Sequence, residues 1–429
     1  MAATLILGKM LWADTMLPPE PGRGLVIEGG RITATGTWDE LGTRYPEADV
    51  VDARDSIITP AFVNAHHHMY GVLAHGIPLD KAPSGFWPFL EDFWWPLVED
   101  QLNHELIAAA VDWACLEMVR SGVTTFYDCL EAPNALPGAL YVEAEIVRRW
   151  GLRGVLSFEA TERVSADNAR LGLQENCEFI DACQAGEDRL VSGMMCFHTT
   201  FTCSAEYIRR AFAGAAERDA QVHMHLAEGT YEPEHCLAEY GARTVAYYDR
   251  LGVLGDHVLA SQCVQVDAEE IAILARRGVH VSHQPLSNCE VGGGLAPVPE
   301  MLAAGVNVAL GTDGYINNFF EVMRAASLIP KARLLDPTTM PAKTVWTMAT
   351  RNGARALHFS DLGNLTPGNQ ADLLLIGSDL PTPVAVHNLA EQLLLWRNPS
   401  NLLGVMCAGN WLMRDGKIEG CLLYTSPSP

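Results

Sequence analysis

Hydrophobic and polar positions follow two different rhythms along the 429-residue chain. Up to about residue 58 the apolar residues come in short runs separated by turns, as in TLILGKMLWAD and GLVIEGGRITATG, which is typical of short β-strands. Short strand patterns return after about residue 365, in GNQADLLLIGS and NLLGVMCAGNWLMRDGKI. We therefore predict that residues 1–58 and 366–420 form one small β-sandwich domain, followed by a tail at 421–429.

Between residues 59 and 365, strand, loop and helix patterns follow one another in a repeated order. A long helix is predicted from Asn103 to Arg120, because apolar residues recur there every three or four positions, and Ser121-Gly122 ends it. Another helix is predicted after Asp267, which forms the sequence pattern of a capping box with Glu270. This alternation predicts an α/β region in which helices connect parallel strands.

Acidic residues outnumber basic ones, with 52 Asp and Glu against 29 Lys and Arg and a net charge of −23. A nucleic acid or an anionic membrane would favour the opposite balance, so we expect neither as a partner. The 11 cysteines are scattered without a CxxC pair, and no signal peptide or membrane-spanning run is recognisable. We therefore expect a cytoplasmic protein in a reducing compartment, and a homo-oligomer.

Three short motifs after predicted strands carry the residue types that bind metal ions: NAHHHMY (64–70), HMHLAEG (223–229) and GTDGYINN (311–318). Alternate residues of a strand face the same way, so His66 and His68 point together while the histidine between them points away. Together the motifs offer imidazoles and a carboxylate, the ligands of catalytic Zn²⁺ or Fe²⁺. A (β/α)₈ TIM barrel gathers distant strand ends around one point, so we predict that fold for residues 59–365.

The second and third motifs each leave an alternative open. His225 lies nearer than His223 to the carboxyl end of its strand, where barrel sites form, so His223 is better interpreted as a core histidine. Glu228 follows closely and can reach the same cavity as a general acid or base. Asp313 could be a simple turn residue, but a buried carboxylate there would need a cation or hydrogen-bond donors.

Residues 76–102 form a proline-interrupted segment that contains three Trp and three Phe. One interpretation is an aromatic lid that stacks on a planar heterocycle. The other is a loop and helix that pack against the barrel or form a dimer contact. We expect packing for most of these aromatic side chains and a substrate contact for one or two, with Trp87 as the first candidate.

Taken together, the motifs PAFVNAHHH, HTTFTCS, HMHLAE, SHQPLSN, GTDG and GNLTPGNQADLLLI resemble the amidohydrolase superfamily. The similarity runs from about residue 2 to residue 419 and is to the branch of cytosine, guanine and s-triazine deaminases and chlorohydrolases. It implies that one divalent ion, Zn²⁺ or Fe²⁺, is bound by four side chains, with Glu228 as the proton shuttle. His198 matches a position that usually faces the substrate, although a buried structural histidine is an equal alternative. The implied ligands are His66, His68, His225 and Asp313.

Two comparisons with that family pattern refine the expectation. Binuclear members carry a carbamylated lysine on the fourth barrel strand, and the segment VSGMMCFH has none, which implies a mononuclear site. The sixth strand of this branch usually ends in a histidine beside the metal-bound water, whereas LASQCVQV places Gln262 there. A glutamine side chain donates and accepts hydrogen bonds but cannot carry a proton at neutral pH. Gln262 is therefore expected to bind substrate. His283 could partly replace the missing histidine, or only orient a neighbour.

The expected function is a metal-dependent hydrolase that deaminates an amino-substituted aromatic heterocycle, such as a purine, pterin, pyrimidine or triazine. A chlorohydrolase or another C–N hydrolase of the same fold is the near alternative. A catalytically silent relative that only binds ligands is the distant one.

Overall fold

Strands and helices alternate over residues 3–314, 316–379 and 382–418, which are the residues that the computed structural model describes. The strands are β1 (Thr4–Leu11), β2 (Glu20–Pro21), β3 (Arg23–Glu28), β4 (Arg31–Thr37), β5 (Asp49–Pro60), β6 (Phe62–His67), β7 (Val123–Leu130), β8 (Arg153–Phe158), β9 (Val191–Gly193), β10 (Met195–Cys196), β11 (Val222–Leu226), β12 (Val258–Gln262), β13 (His280–His283), β14 (Asn307–Leu310), β15 (Leu373–Gly377), β16 (Leu402–Cys407), β17 (Asn410–Arg414) and β18 (Lys417–Ile418). The helices are α1 (Trp38–Arg44), α2 (Phe86–Phe89), α3 (Trp95–Leu97), α4 (His104–Ser121), α5 (Ala139–Trp150), α6 (Ala166–Ala185), α7 (Ala205–Ala216), α8 (Tyr231–Tyr240), α9 (Thr244–Leu251), α10 (Ala268–Arg277), α11 (Pro285–Glu290), α12 (Val298–Ala303), α13 (Phe319–Leu334), α14 (Ala342–Thr347), α15 (Gly353–Ala356) and α16 (Leu389–Trp396).

Both ends of the chain contribute to one β-domain, which confirms that prediction. Its strands follow the order β18-β17-β16-β15-β5-β1-β3-β4, with β2 paired to β1, in one continuous hydrogen-bonded path. Strand β5 is the junction, because it pairs parallel with β1 and antiparallel with β15. One apolar cluster draws Ile6 and Ile58 from the first end and Leu373 from the second. The predicted tail at 421–429 lies outside the described residues.

The middle of the chain closes into the predicted (β/α)₈ barrel. Parallel pairing runs from β6 through β9 and from β10 through β14, so β9 and β10 are two pieces of the fourth barrel strand. The last strand returns to the first through a parallel bridge between His67 and Asp313, and the Thr312 amide donates to the His66 carbonyl oxygen at 3.0 Å. Strand β7 is buried at every residue, as expected for a strand covered on both faces.

The helix boundaries follow the local signals in the sequence. Asn103 caps α4 by accepting a hydrogen bond from the Leu106 amide, and Gly122 ends it in the left-handed conformation at φ 85°. Asp267 and Glu270 form the complete capping box at the start of α10. Both predicted helix positions are therefore confirmed.

A buried ion pair joins the barrel to the β-domain. Arg153, at the start of β8, contacts Asp372 at 2.6 Å, and Thr124 donates to the same carboxylate at 2.9 Å. Removing one partner of such a pair typically costs about 3–5 kcal/mol. Within the described part of the chain, no helix is both long and apolar enough to cross a membrane.

Candidate metal centre

Four side chains from three distant segments meet at the carboxyl end of the barrel. His66 and His68 come from the end of β6, His225 from β11, and Asp313 follows β14. The Asp313 Oδ1 atom lies 3.5 Å from His66 Nε2 and 3.3 Å from His68 Nε2. The Nε2 atoms of His68 and His225 are 3.2 Å apart. The structure thus brings together all four residues that the sequence analysis proposed as ligands.

The spacing and protonation of these groups fit a divalent cation. Two ligands that each lie about 2.0–2.1 Å from one tetrahedral ion are about 3.3 Å apart, close to the separations observed. His66 Nε2 is buried and has no hydrogen-bond partner among the described residues. Burial lowers the pKa of His66 to about 3 and that of His68 to about 4, so both imidazoles are neutral at pH 7. Neutral nitrogen lone pairs that face each other are stabilised by a metal ion between them.

Each of two imidazoles is held by a partner at its other nitrogen. His68 Nδ1 donates to the carbonyl oxygen of Cys129 at 2.9 Å, and His225 Nδ1 lies 2.6 Å from Glu159 Oε1. Such partners fix the ring so that Nε2 faces the metal. The sequence analysis missed Glu159, although its position directly after β8 is the same kind of strand end that identified the ligands.

We expect Glu159→Gln to weaken metal retention by about 10–100-fold, the usual effect of losing the partner of a metal-bound histidine. Glutamine keeps the size of the side chain but removes the carboxylate group that lies beside His225 Nδ1 and strengthens the imidazole as a ligand. The rate of metal release to a chromogenic chelator measures the effect, with Glu178→Gln on the exposed face of α6 as the matched control. Equal release rates in parent and both variants would rule out this role.

Asp313 is held in a specific orientation by two donors on its second oxygen. Gln262 Nε2 donates to Oδ2 at 2.7 Å and Ser287 Oγ at 2.8 Å, which leaves Oδ1 towards the histidines. Burial alone would raise the pKa of Asp313, but contact with His66 and the proximity of His68 and His225 hold that pKa well below its usual range. Both Asp313 (φ 61°) and Gln262 (φ 75°) adopt the left-handed region, a strained conformation that clusters at functional sites.

Gln262 is the last residue of β12, so the sequence analysis located it correctly at the end of the sixth barrel strand. Its side chain is buried against Asp313 and does not line the cavity, and its contact with substrate stays a prediction. His67 points away from the cluster, and its Nδ1 lies 2.6 Å from the Asp313 carbonyl oxygen. His223 stacks on His66 with ring centroids 5.0 Å apart, consistent with its interpretation as a core histidine.

A cavity opens beside the four ligands, and its total empty space, including the open mouth, is about 410 Å³. It is lined by His68, Phe86, Phe89, Leu90, Trp94, Glu99, Glu159, His198, His225, Glu228, Ser287, Val291 and Asp313. Apolar rings on one side face carboxylates and imidazoles on the other. Such a cavity can hold a planar heterocycle between the aromatic wall and the metal centre.

The aromatic wall comes from the predicted lid, but not through Trp87. Phe86, Phe89 and Leu90 share one face of the helical segment because they are spaced three and four residues apart. Trp87 lies on the next face, where it stacks on Tyr231 with ring centroids 4.2 Å apart and donates to Glu91 at 2.9 Å. The helical register therefore places Trp87 outside the lining of this cavity, and its contact with substrate stays a prediction.

Three further candidates have different surroundings. Glu228 lines the cavity, and burial together with the charges of Asp313 and Glu159 raises its pKa well above the usual value. His198 also lines it, with Nδ1 3.0 Å from Thr202 Oγ1. His283 ends β13 but does not line the cavity, and its Nδ1 is buried without a hydrogen-bond partner among the described residues.

The barrel and its histidine–aspartate cluster define a metal-dependent hydrolase of the TIM-barrel type. Residues 57–412 match the model of the amidohydrolase family, and residues 24–48 match a bacterial imidazolonepropionase-like composite domain. The chain therefore belongs to the amidohydrolase family, as its motifs predicted.

Similar proteins within this family are named as deaminases of adenosine-type nucleosides. The chain is 38% identical over 425 residues to the 5-methylthioadenosine/S-adenosylhomocysteine deaminase of Moorella thermoacetica, covering 96% of each chain. It is 35% identical over 403 residues to the 5′-deoxyadenosine deaminase of Methanothermobacter thermautotrophicus, covering 92% of this chain and 90% of that one. A zinc-bound adenosine deaminase from Xanthomonas campestris superposes with a TM-score of 0.88 at 27% identity, covering 99% of this chain and 96% of that one.

Proposed function

We propose that the chain is a metal-dependent aminohydrolase that converts the 6-amino group of a purine nucleoside to a 6-oxo group and releases ammonia. The observation that carries the proposal is the cluster of His66, His68, His225 and Asp313 beside a cavity that also holds Glu228. The named activities of its relatives support the purine nucleoside as substrate.

The roles of this chain's residues follow from their positions. His66, His68, His225 and Asp313 would hold the ion, which when bound lowers the pKa of water and so supplies hydroxide near neutral pH. Asp313 Oδ1 faces the cluster and can accept a proton, while Gln262 and Ser287 keep the carboxylate in place. Glu228 protonates the ring nitrogen next to the aminated carbon and then helps ammonia depart.

Phe86, Phe89 and Trp94 form an apolar wall against which the purine ring can stack. His198, with Nδ1 fixed by Thr202, can present Nε2 to a polar group of the substrate. Gln262 cannot carry a proton at neutral pH and is buried behind Asp313, so proton transfer rests on Glu228 and Asp313.

The test is release of ammonia from a panel of aminated heterocycles by the purified, metal-loaded enzyme. We expect turnover of adenosine-type nucleosides, detected by the loss of adenine absorbance near 265 nm, and little turnover of guanine, cytosine or melamine. Faster dechlorination of a chlorotriazine than deamination of any nucleoside would contradict the proposal. A protein that binds metal and nucleosides but turns over no member of the panel would instead indicate the silent relative.

Three finer properties belong to the same proposal. Zn²⁺ is the proposed ion, supported by the zinc in the Xanthomonas campestris structure, with Fe²⁺ as the alternative. A homo-oligomer is supported by apolar side chains left exposed, such as Trp396 at 62% and Leu335 at 90%. A cytoplasmic location is supported by the ten described cysteines, all of which are free thiols.

A further inference from the structure

The direction of the Glu228 side chain is set by the backbone that carries it. Glu228 lines the cavity beside the metal centre, and no group among the described residues donates a hydrogen bond to its carboxylate. The chain leaves β11 at Leu226 and turns at Ala227 before it reaches Glu228. A group that fixes this turn therefore also fixes the proposed proton carrier.

The turn at Ala227 has an unusual backbone conformation. Ala227 adopts φ 49°, in the left-handed region that residues other than glycine rarely enter. Such a conformation persists only where the surrounding contacts impose it. On one side of the turn, the amides of Val264 and Gln265 donate to the Ala227 carbonyl oxygen at 3.1 and 2.8 Å. On the other side, the Ala227 amide donates to Oε2 of Glu232 at 2.6 Å.

Glu232 contacts two loops of the site at once. It lies in the first turn of α8, is 2% exposed and does not line the cavity. Its Oε1 atom accepts from the Thr200 amide at 3.0 Å and from the Thr200 hydroxyl at 2.8 Å. Thr200 follows His198 in the loop after the fourth barrel strand. One buried carboxylate thus joins that loop to the loop that carries Glu228.

The hydrogen bonds of Glu232 need an acceptor at both of its oxygen atoms. A carboxylate accepts at both, whereas the amide group of glutamine accepts at one end and donates at the other. A glutamine at this position would therefore turn an NH₂ group towards the backbone N–H of either Thr200 or Ala227. A buried N–H that loses its acceptor is strongly unfavourable, so one of the two loops would be released.

We propose that Glu232 is a positioning residue for deamination: it holds the turn at Ala227 that directs the Glu228 carboxylate into the cavity. The inference rests on the proposed deaminase function, because Glu232 acts on the reaction only through Glu228. A displacement of about 1 Å in an active site can lower a rate by about 10²-fold. We therefore expect Glu232→Gln to lower kcat for adenosine by about 10²-fold, with a much smaller change in KM.

Two substitutions at position 232 separate the hydrogen bonds from the charge. Glu232→Gln keeps the size of the side chain but has one acceptor, whereas Glu232→Asp keeps the charge but is one methylene shorter and cannot reach both loops. We expect both to lower kcat. Glu234→Gln, on the exposed face of the same helix, is the matched control and should behave like the parent. Parental kcat in Glu232→Asp would overturn the inference.

Metal analysis and a thermal melt accompany each measurement, so that only folded, metal-loaded enzymes are compared. If Glu232→Gln does not fold, Glu232→Asp takes its place in every comparison.

A double-variant comparison distinguishes positioning from a general structural role. Once Glu228 is replaced by glutamine, the direction of that side chain no longer matters for proton transfer. Adding Glu232→Gln to Glu228→Gln should therefore cause little further loss of kcat, since residues that act as a unit have non-additive effects. Losses that multiply in the double variant would show that Glu232 acts independently of Glu228 and would overturn the inference.

Hydrogen exchange at the Ala227 amide tests the contact without any turnover. Exchange should be faster in Glu232→Gln than in the parent and in Glu234→Gln, and equal rates in all three overturn the inference. Faster exchange in a protein whose parent deaminates no nucleoside supports the hold of Glu232 on the turn and contradicts the deaminase function. An active parent whose kcat is unchanged by the substitutions at position 232 overturns the inference while the deaminase function stands.

Discussion

Replacing Glu228 with glutamine is expected to lower turnover by about 10²–10⁴-fold, the usual contribution of a general acid or base. Glu228 lines the cavity three residues beyond His225, and it is the proposed carrier of the proton to the ring nitrogen. Glutamine fills the same volume but cannot give up a proton. Because Glu228 is not one of the four proposed metal ligands, metal content should stay at the parent value.

The measurement is the steady-state rate of nucleoside deamination together with metal analysis and a thermal melt. Glu234→Gln, an exposed residue on α8, provides the matched control and should behave like the parent. A Glu228→Gln enzyme that keeps both its metal and near-parental turnover would assign proton transfer to another group, with Asp313 the first to consider.

Removing the metal ion should reduce deamination to background, and about one equivalent of Zn²⁺ or Fe²⁺ per chain should restore it. The proposed ligands His66, His68, His225 and Asp313 converge on one point, and the fourth barrel strand supplies no lysine to bridge a second ion. The enzyme is dialysed against a chelator and reconstituted, anaerobically for iron, and activity is plotted against added metal. Asp313→Asn keeps the shape of the side chain but removes its negative charge, so this variant should bind the ion less tightly.

Two outcomes would contradict this expectation. Activity that continues to rise to two equivalents would indicate a binuclear centre. Full activity in metal-free protein, verified by elemental analysis, would exclude the metal from catalysis altogether.

The meeting of the four proposed ligands could be predicted from the sequence, because strand geometry is local and the motifs resemble those of a known family. His66 and His68 share one face of β6 by the two-residue repeat of a strand, and a barrel places all strand ends at one mouth. Helix α4 was predictable for a similar reason, since Asn103 and Gly122 act on their own neighbours. The shared face of His66 and His68 and the two ends of α4 each depend on residues close together in the sequence.

Glu159 and Gln262 show where sequence reasoning ends. Each contacts a ligand on another strand: Glu159 approaches His225 at 2.6 Å, and Gln262 approaches Asp313 at 2.7 Å. A sequence gives the end of each strand but not which side chain reaches across to its neighbour. The sequence therefore did not indicate the contact of Gln262 with Asp313, which only the tertiary structure reveals.

The prediction for Trp87 depends on a finer level of structure, namely which face of a helix a side chain occupies. The aromatic segment does cover the site, but a helix turns by about 100° per residue, so adjacent positions face different directions. Phe86 reaches the cavity and Trp87 packs on Tyr231 instead. The residues from Leu90 to Trp94 form a π-helical turn, an irregularity that shifts the register and that the sequence pattern does not indicate.

The way in which β5 is shared between the two ends of the chain bears on how the protein is made. A ribosome releases β1, β3, β4 and β5 early, but β15, the partner of β5, emerges more than three hundred residues later. Until then one edge of β5 has unpaired backbone N–H and C=O groups, which can pair with another chain. Arg153 also lacks its ion-pair partner Asp372 during this time. The β-domain can thus be completed only after the whole barrel has been synthesised, and nascent chains halted before β15 should be the species that chaperones bind and proteases degrade.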